Sequence, residues 1–459
     1  SIAVVCSRWD EAFGRTSIEA SSRGCAVILS DKGGLPETTK CGIRLKNLNT
    51  NDLYKEIEKL ITNNYKRIKI QKKSFKKFIL THEIITKKID NYRNEIFLKM
   101  SGNSILKTDK SLKVLHVANF NEKHDGRLFF VSVAHKLSNG LIRLGHSVLN
   151  YSDRHVMRIS KTAFNFSAQS KLNENLLNTI KNYNPDLLLL GHADLINNNT
   201  LHEAKKIIPN LKISQWFEDP LISKGPDYEK NKKKVLDKIT SIDSAFITTS
   251  PDVLKFKVNK KKVHYLPIPV DSSIESLKIF EKTNFKNDVF FAMSHGVHRG
   301  ILKSGKEDNR EIFINKLINK NQDLKFDVYG MNDVQPIWAD DFIKKISNSK
   351  MGLNLSRGKP IKYYSSDRIV QIIGNGLVTL IDENTHYQNF FNKDEMVFYK
   401  NVSDLAEKIL EISKDERLRK KIGRKGKTKY MKYFNSNTVA SYIIKQTYDL
   451  NVKSFYWHQ

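Results

Sequence analysis

Apolar residues fall along this chain in short, β-branched runs, each followed by a polar loop and then by apolar positions at helical spacing. Such runs occur at 2–5, 26–30, 112–118, 187–191, 213–217, 245–249, 263–266, 289–293, 325–330, 351–355 and 378–382. Their near-continuous apolar character predicts strands buried on both faces, as in parallel sheets covered by helices. Helical periods are predicted over 51–62, 63–98, 128–144, 402–410 and 442–448. The alternation of strand and helix predicts an α/β chain of doubly wound sheets.

One passage occurs twice. The first copy runs Cys6-Ser7-Arg8, then Ile18-Glu19-Ala20-Ser21-Ser22-Arg23-Gly24, then Cys25-Ala26-Val27-Ile28-Leu29-Ser30-Asp31. The second runs Leu355-Ser356-Arg357, then Val370-Gln371-Ile372-Ile373-Gly374-Asn375-Gly376, then Leu377-Val378-Thr379-Leu380-Ile381-Asp382. Both read as strand, polar loop, short helix, glycine, strand, with Gly24 and Gly376 ending the helix in the left-handed conformation. A loop that leaves a parallel strand and enters a helix is where open α/β sheets bind ligands. A carboxylate within that helix can hold two vicinal hydroxyls, as on a ribose, and Glu11 in the first loop is placed to reach a sugar ring.

The string Glu11-Ala12-Phe13-Gly14-Arg15-Thr16-Ser17-Ile18-Glu19, followed by Gly33-Gly34-Leu35-Pro36-Glu37, resembles the donor-site signature of family 4 retaining glycosyltransferases over residues 1–98. That resemblance implies the GT-B fold. It implies ribose binding at Glu19, donor-sugar binding at Glu11, and substrate contacts from Gly14, Arg15, Gly33, Gly34 and Glu37. The close of the segment, around 84–93, resembles the C-terminal helix of such an enzyme. The acceptor domain and the start of the donor domain have no counterpart here. The chain opens in mid-strand without an initiator Met, which reads as a truncated or fragmentary product.

Composition changes the picture in three ways. First, the 459 residues suggest two to four domains, and 39% hydrophobic content is enough to fill their cores. Second, 78 Lys+Arg against 49 Asp+Glu give a formal charge of +29. That charge suits an anionic partner, but lysine is spread over the whole chain in a Lys-, Asn- and Ile-rich composition rather than gathered in one patch. The densest basic stretch is Lys66, Arg67, Lys69, Lys72, Lys73, Lys76 and Lys77; it reads either as a solvated helix face or as a contact for anionic lipid. Third, the cysteines, Cys6, Cys25 and Cys41, are odd in number and lack metal-ligand spacing, which points to a reducing compartment. No signal peptide and no run long enough to span a bilayer is apparent.

Residues 99–111 read as a linker, 112–285 as a first domain, and 286–459 as a second domain with a final crossing helix. The first βαβ unit of 112–150 places Gly126 at a helix entrance but lacks G-x-G-x-x-G, so no dinucleotide site is read there. Residues at the carboxyl ends of later strands, His192, Asp194, Glu218 and Asp219, face the cleft of such a fold and are acceptor-side candidates, or else simple cap and turn residues. The proline-marked segment 266–271 reads as the hinge. Beyond it, the loop 294–300 sets Gly296 beside His295 and Arg299, a combination suited to a diphosphate.

Residues 112–450 resemble the spore-maturation, CgeB-like group of GT-B glycosyltransferases. The strings that carry this are Trp216-Phe217-Glu218-Asp219, Asn354-Leu355-Ser356-Arg357, Tyr364-Ser365-Ser366-Asp367-Arg368 and Gly374-Asn375-Gly376. The expected fold is therefore GT-B, two facing doubly wound Rossmann-like domains, preceded by a partial donor-domain fragment. Aligned on the shared glycines, Gln371 takes the place of Glu19; it can bond a ribose hydroxyl but carries no charge. Glu11 has no clear counterpart, and Lys359, Lys362, Asp367 and Arg368 are candidates for its work, with Arg357 and Tyr364 beside them.

The expected activity is transfer of a sugar from a nucleotide-sugar donor to a glycan or lipid-linked acceptor, in cell-surface polysaccharide synthesis in the cytoplasm or peripherally at the inner membrane face. No cofactor is expected, and no metal, since neither an Asp-x-Asp nor a His/Cys cluster is present. Arg299 and Lys359 are expected at the diphosphate, with Asp194 or Asp219 as base if the reaction inverts. A nucleotide-sugar epimerase or hydrolase is the alternative. A basic nucleic-acid-binding protein has only the overall charge in its favour.

Overall fold

The computed structural model describes residues 1–78, 80–105, 111–120, 132–161, 168–225, 227–259, 261–293, 297–298, 301–302 and 309–458. It divides into two compact units, Ser1–Ser101 and Gly102–Gln459.

In unit one, strands β1 (Ile2–Val5), β2 (Ala26–Ser30) and β3 (Ile43–Leu45) form a parallel sheet in that order. Every residue of β2 is buried. Its alternating side chains feed two small cores: Ala26 and Ile28 pack with Leu45 and Leu60, while Val27 and Leu29 pack with Leu35. This is the two-faced burial that a continuous apolar run predicts. Helix Arg15–Ser22 joins β1 to β2, and helices Thr50–Thr62 and Asn64–Lys76 follow β3. A further helix, His82–Ile105, continues through the first part of the stretch read as a linker at 99–111.

Unit two contains two parallel sheets. The first holds β4 (Lys113–Ala118), β5 (Ser147–Ser152), β6 (Leu187–Gly191), β7 (Lys212–Phe217), β8 (Ser244–Ile247) and β9 (Val263–Tyr265) in the order β5-β4-β6-β7-β8-β9. Leu187 and Leu189 enter one core, Leu188 and Leu190 the other, so this run of four leucines serves both faces. The second sheet is built from β10 (Asn287–Ala292), β13 (Phe326–Tyr329), β14 (Ser349–Asn354), β15 (Val378–Asp382) and β16 (Val397–Tyr399), ordered β13-β10-β14-β15-β16. A two-stranded antiparallel ribbon, β11 (Val297–His298) with β12 (Ile301–Leu302), stands between β10 and β13 in the chain.

The chain returns to the first domain at its end. The predicted last helix at 442–448 is the second half of a longer one, Ser436–Thr447, which follows helix Glu416–Tyr433. Val270 N donates to Phe434 O (3.0 Å) and Ser436 N to Val270 O (2.8 Å), so the hinge and the crossing helix are hydrogen-bonded together. The crossing helix then buries Val439, Ala440, Ile443 and Ile444 in the core shared with helix Val133–Arg143. Gly140 on that helix leaves room for the backbone of Ser436. No described helix is long and apolar enough to cross a membrane.

Candidate functional site

Between the two domains of unit two lies a cavity of about 460 Å³. One wall comes from the carboxyl ends of β6 and β7 and the start of helix Asp153–Ile159, which follows β5: Asp153, Arg154, His192, Asp194, Trp216, Glu218 and Asp219. The opposite wall comes from the end of β10 and from helix Arg368–Gly374 with its approach: Ala292, Met293, Tyr364, Ser366, Asp367, Arg368, Gln371 and Asn375. Ile337, Trp338, Phe342 and Ile343 supply an apolar side. Strand ends that face one another across a cleft are where ligands bind in doubly wound folds.

The first wall is organised around His192. His192 and Ala193 both take left-handed backbone angles, φ 51° and 59°. Two successive non-glycine residues in that region are uncommon, and the bend turns the chain sharply as it leaves β6. Gln215 Nε2 donates to His192 O (2.7 Å) and holds the bend. The imidazole sits between two carboxylates, with Nε2 3.7 Å from Glu218 Oε1 and Nδ1 3.6 Å from Asp219 Oδ2. Burial alone would lower the His192 pKa, but its two acidic neighbours outweigh this and hold it above the ordinary value. Asp219 is raised, chiefly by burial. Asp194 is engaged differently, since Arg154 Nη2 donates to both of its oxygens at 2.6 and 2.7 Å. Burial pushes Asp194 up, yet the arginine holds it below the usual carboxylate range.

Behind this wall runs a buried chain of hydrogen bonds. Trp216 Nε1 donates to His116 Nε2 (2.9 Å), His116 Nδ1 pairs with Ser138 Oγ (2.8 Å), and Ser138 Oγ donates to Asn150 Oδ1 (2.7 Å). Because its Nε2 accepts from Trp216, His116 is neutral; burial lowers its pKa to about 3. It positions Trp216 and takes no part in proton exchange.

On the second wall the nearby cations are engaged by the protein itself. Arg368 Nε donates to Ala292 O (2.8 Å) and Nη1 to Leu355 O (2.9 Å) and Ser366 Oγ (3.1 Å), which ties the ends of β10 and β14 together. Fully buried Lys136 bonds Glu275 Oε1 at 2.6 Å, while Asp271 N donates to Glu275 Oε2 at 2.8 Å. Gln371 lines the cavity at 5% exposure.

The sequence-predicted residues thus separate into groups. Asp194, Asp219, Tyr364, Asp367, Arg368 and Gln371 all line this one cavity, along with His192 and Glu218. Lys359 and Arg357 are exposed and stand outside its lining; Arg357 Nη1 reaches across to Asp227 Oδ2 (2.7 Å) in the first domain. Lys362 likewise bonds Asp252 Oδ2 (2.6 Å). The charge of this loop therefore bridges the domains. Arg299, His295, Gly296 and Gly126 lie outside the described residues. In unit one, Glu11, Arg15, Glu19 and Glu37 are exposed, and Gly14 precedes helix Arg15–Ser22. The two halves of its signature meet: Gly34 N donates to Glu11 O (2.6 Å), and a Cβ at Gly33 would overlap the Glu11 backbone.

Sequence reasoning missed Arg154, Glu275, Lys136 and the apolar wall around Trp338. Arg154 could have been found from its place just beyond β5, by the same strand-end rule that found His192. Glu275 and Lys136 are 139 positions apart, and nothing local marks them as a pair.

Residues 1–77 match the family model described as glycosyl transferases group 1, and residues 309–445 match the model described as glycosyl transferase-like. Among solved structures, HepE from Anabaena in complex with UDP and glucose is similar with a TM-score of 0.50 at 10% identity, over 74% of this chain and 100% of its own. A glycosyltransferase from Rickettsia africae ESF-5 gives 0.49 at 12% identity, over 74% and 98%. At 10% identity the likeness to HepE is one of fold. Unit two has the GT-B fold and carries a glycosyltransferase-like segment, and unit one carries a group 1 glycosyltransferase segment.

Proposed function

We propose that unit two transfers a sugar from a nucleotide-sugar donor to a glycan or lipid-linked acceptor. The observation that carries this reading is the cavity itself. It lies between the carboxyl ends of two facing parallel sheets, and its second-domain wall falls mainly within the segment matching a glycosyltransferase model. HepE was crystallised with UDP and glucose, which supports a nucleotide sugar as donor.

In the reaction the bond between the sugar's anomeric carbon and the donor diphosphate breaks, and a bond to the acceptor oxygen forms. The acceptor proton must leave, and negative charge builds on the departing diphosphate. Gln371 would bond the ribose. The proton would go to the His192, Glu218 and Asp219 cluster, because Asp194 is already bonded to Arg154 through both oxygens. Arg299 is the proposed counter-charge for the diphosphate. The cleft offers no group of three or more His, Cys, Asp or Glu able to hold a metal among the described residues, and transfer without metal or cofactor is part of the proposal.

Polysaccharide synthesis at the inner membrane face, with the chain in the cytoplasm, completes the proposal. Helix Asn64–Lys76 supports contact with an anionic membrane, for it exposes Tyr65 and Phe75 among its lysines. The test is a thermal-shift screen of UDP-, GDP- and ADP-sugars on the full chain, then a transfer assay with and without EDTA and anionic vesicles. A stabilising nucleotide sugar and EDTA-resistant transfer are expected. No shift with any nucleotide would sink the reading, and loss of transfer in EDTA, restored by Mg²⁺, would remove its metal-free part.

A further inference from the structure

Asp367 and Gln371 are one helical turn apart on the same wall of the cavity. Among the described residues, the Asp367 carboxyl takes no hydrogen bond, and its Oδ1 is closed off from solvent. The 95%-buried Gln371 side chain likewise lines the cavity without a described hydrogen-bond partner. Buried polar atoms are normally paired, so the closed-off, unpaired Asp367 Oδ1, with the Gln371 amide one turn away on the same cavity wall, marks a place where a ligand supplies partners.

The surroundings decide the form in which Asp367 meets that ligand. Lys136, from helix Val133–Arg143, is bonded to Glu275, and Arg368 is bonded to two carbonyls and a hydroxyl. Glu218 from the loop after β7, Glu275 from the segment after the hinge, and Tyr430 from helix Glu416–Tyr433 also face it. Asp367 is half-buried with its Oδ1 closed off, and a carboxylate here would stand beside two other acids with no cation bonded to it. We propose that Asp367 meets the bound nucleotide as a neutral carboxylic acid and donates a hydrogen bond to it beside the Gln371 amide. An ionised Asp367 would instead repel a diphosphate. Burial, aided by Glu218 and Glu275 against the pull of Lys136, raises its pKa to about 8, so the acid form prevails at neutral pH.

This inference rests on the nucleotide-binding reading of the cavity, and the test separates the two. UDP binding to the full chain is measured by calorimetry from about pH 6 to pH 9.5 for wild type, Asp367→Asn and Asp367→Leu. Asparagine is always neutral and keeps a donor. The ratio of wild-type to Asn-variant affinity is expected to fall by about tenfold above pH 8. The Leu variant, which cannot donate, is expected to bind about tenfold more weakly at pH 7, with its melting transition checked alongside. A second readout needs no ligand. The folded-state pKa lies above the unfolded one, so the wild type loses stability as pH rises from about 4 through 8, and the Asn variant does not. The melting-temperature advantage of Asp367→Asn should therefore widen by about 2 °C or more between pH 5 and pH 8.5. UDP binding with a constant wild-type to Asn ratio, or a melting difference that stays flat, overturns the neutral acid alone. Wild type that binds UDP at no pH overturns the nucleotide reading and this inference with it.

Discussion

The chain contains the same strand–loop–helix–strand passage in two settings, and the settings differ more than the passages do. β1 pairs with β2 as β14 pairs with β15, in parallel and with the connecting helix ended by a left-handed glycine, φ 73° at Gly24 and 83° at Gly376. The correspondence continues beyond the signature. β3 and β16 are both followed by a thirteen-residue helix capped by an asparagine, with Asn49 accepting from Asp52 N and Asn401 accepting from Asp404 N. Yet β14 is flanked on its other edge by β10, whereas β1 pairs only with β2 among the described strands. Helix Arg368–Gly374 is buried from Ile369 to Gly374, while helix Arg15–Ser22 buries only Ser17 and Ser21. Trp9 and Phe13 in the first loop are exposed, at 83% and 58%. Local sequence makes the signature's shape; a closed site needs a facing domain, here the first, and the hinge packed over it.

The largest test of that difference is the ion pair that closes the second copy from behind. Lys136 comes from the first domain and Glu275 from the hinge side, and both are essentially unexposed. Lys136→Met leaves Glu275 buried without its counter-charge, and about 3–5 kcal/mol of stability should be lost in urea denaturation of unit two. Replacing both, Lys136→Met with Glu275→Leu, should recover much of it, because the cost lies in the orphaned charge. A single variant as stable as wild type would mean that the site is not held closed in this way.

Next in size is the glycine shared by the two copies. Either alanine would be strained by a positive φ, at about 1–2 kcal/mol. The surroundings differ: a Cβ at Gly376 would come within 2.7 Å of the Phe280 ring, whereas at Gly24 the nearest atom is 3.6 Å away. Gly376→Ala should therefore cost a further 1–3 kcal/mol, roughly, from overpacking, and Gly24→Ala should not. Equal losses in the two denaturation transitions would show that the second copy is no more tightly enclosed than the first.

Much of this was legible in the sequence, for physical reasons that can be named. Four consecutive leucines at 187–190 can fill two cores only as a strand covered on both sides. The glycines after each helix mark where it stops. The asparagine caps were equally legible, as Asn49-Thr50-Asn51-Asp52-Leu53 against Asn401-Val402-Ser403-Asp404-Leu405, and would have extended the repeat through its helices. Strand-end logic brought His192, Asp194, Glu218 and Asp219 to one wall. It could not show that Arg154 would occupy Asp194, or that Arg357 and Lys362 would reach Asp227 and Asp252, because those partners come from distant parts of the chain. The helix at 82–105 overran the expected linker because glycine and serine at 101–104 weaken a helix without forbidding it.

The smallest effect sharpens the comparison most, because it concerns a helix position at which the first copy carries a carboxylate and the second a neutral amide. Gln371 stands where the first copy has Glu19, but Glu19 is exposed and Gln371 is buried beside Asp367 and Glu275 on one cavity wall. A neutral hydrogen bond is worth about 0.5–1.5 kcal/mol net, so Gln371→Ala should weaken nucleotide binding by roughly tenfold or less and change the rate at saturation little. Gln371→Glu makes the second copy match the first. If helix position alone determined ribose binding, glutamate would serve as well as glutamine. In a wall that already holds Asp367 and Glu275, a third carboxylate must either ionise against two acidic neighbours, which works against holding a diphosphate nearby, or take up a proton, which relieves that repulsion. Gln371→Glu should accordingly bind nucleotide more weakly than Gln371→Ala at about pH 8, with the gap narrowing toward pH 6 as the added carboxyl becomes protonated. Calorimetry with UDP at the two pH values checks this, and a glutamate variant that binds as tightly as wild type at both would show that the charge of this wall does not govern what it holds.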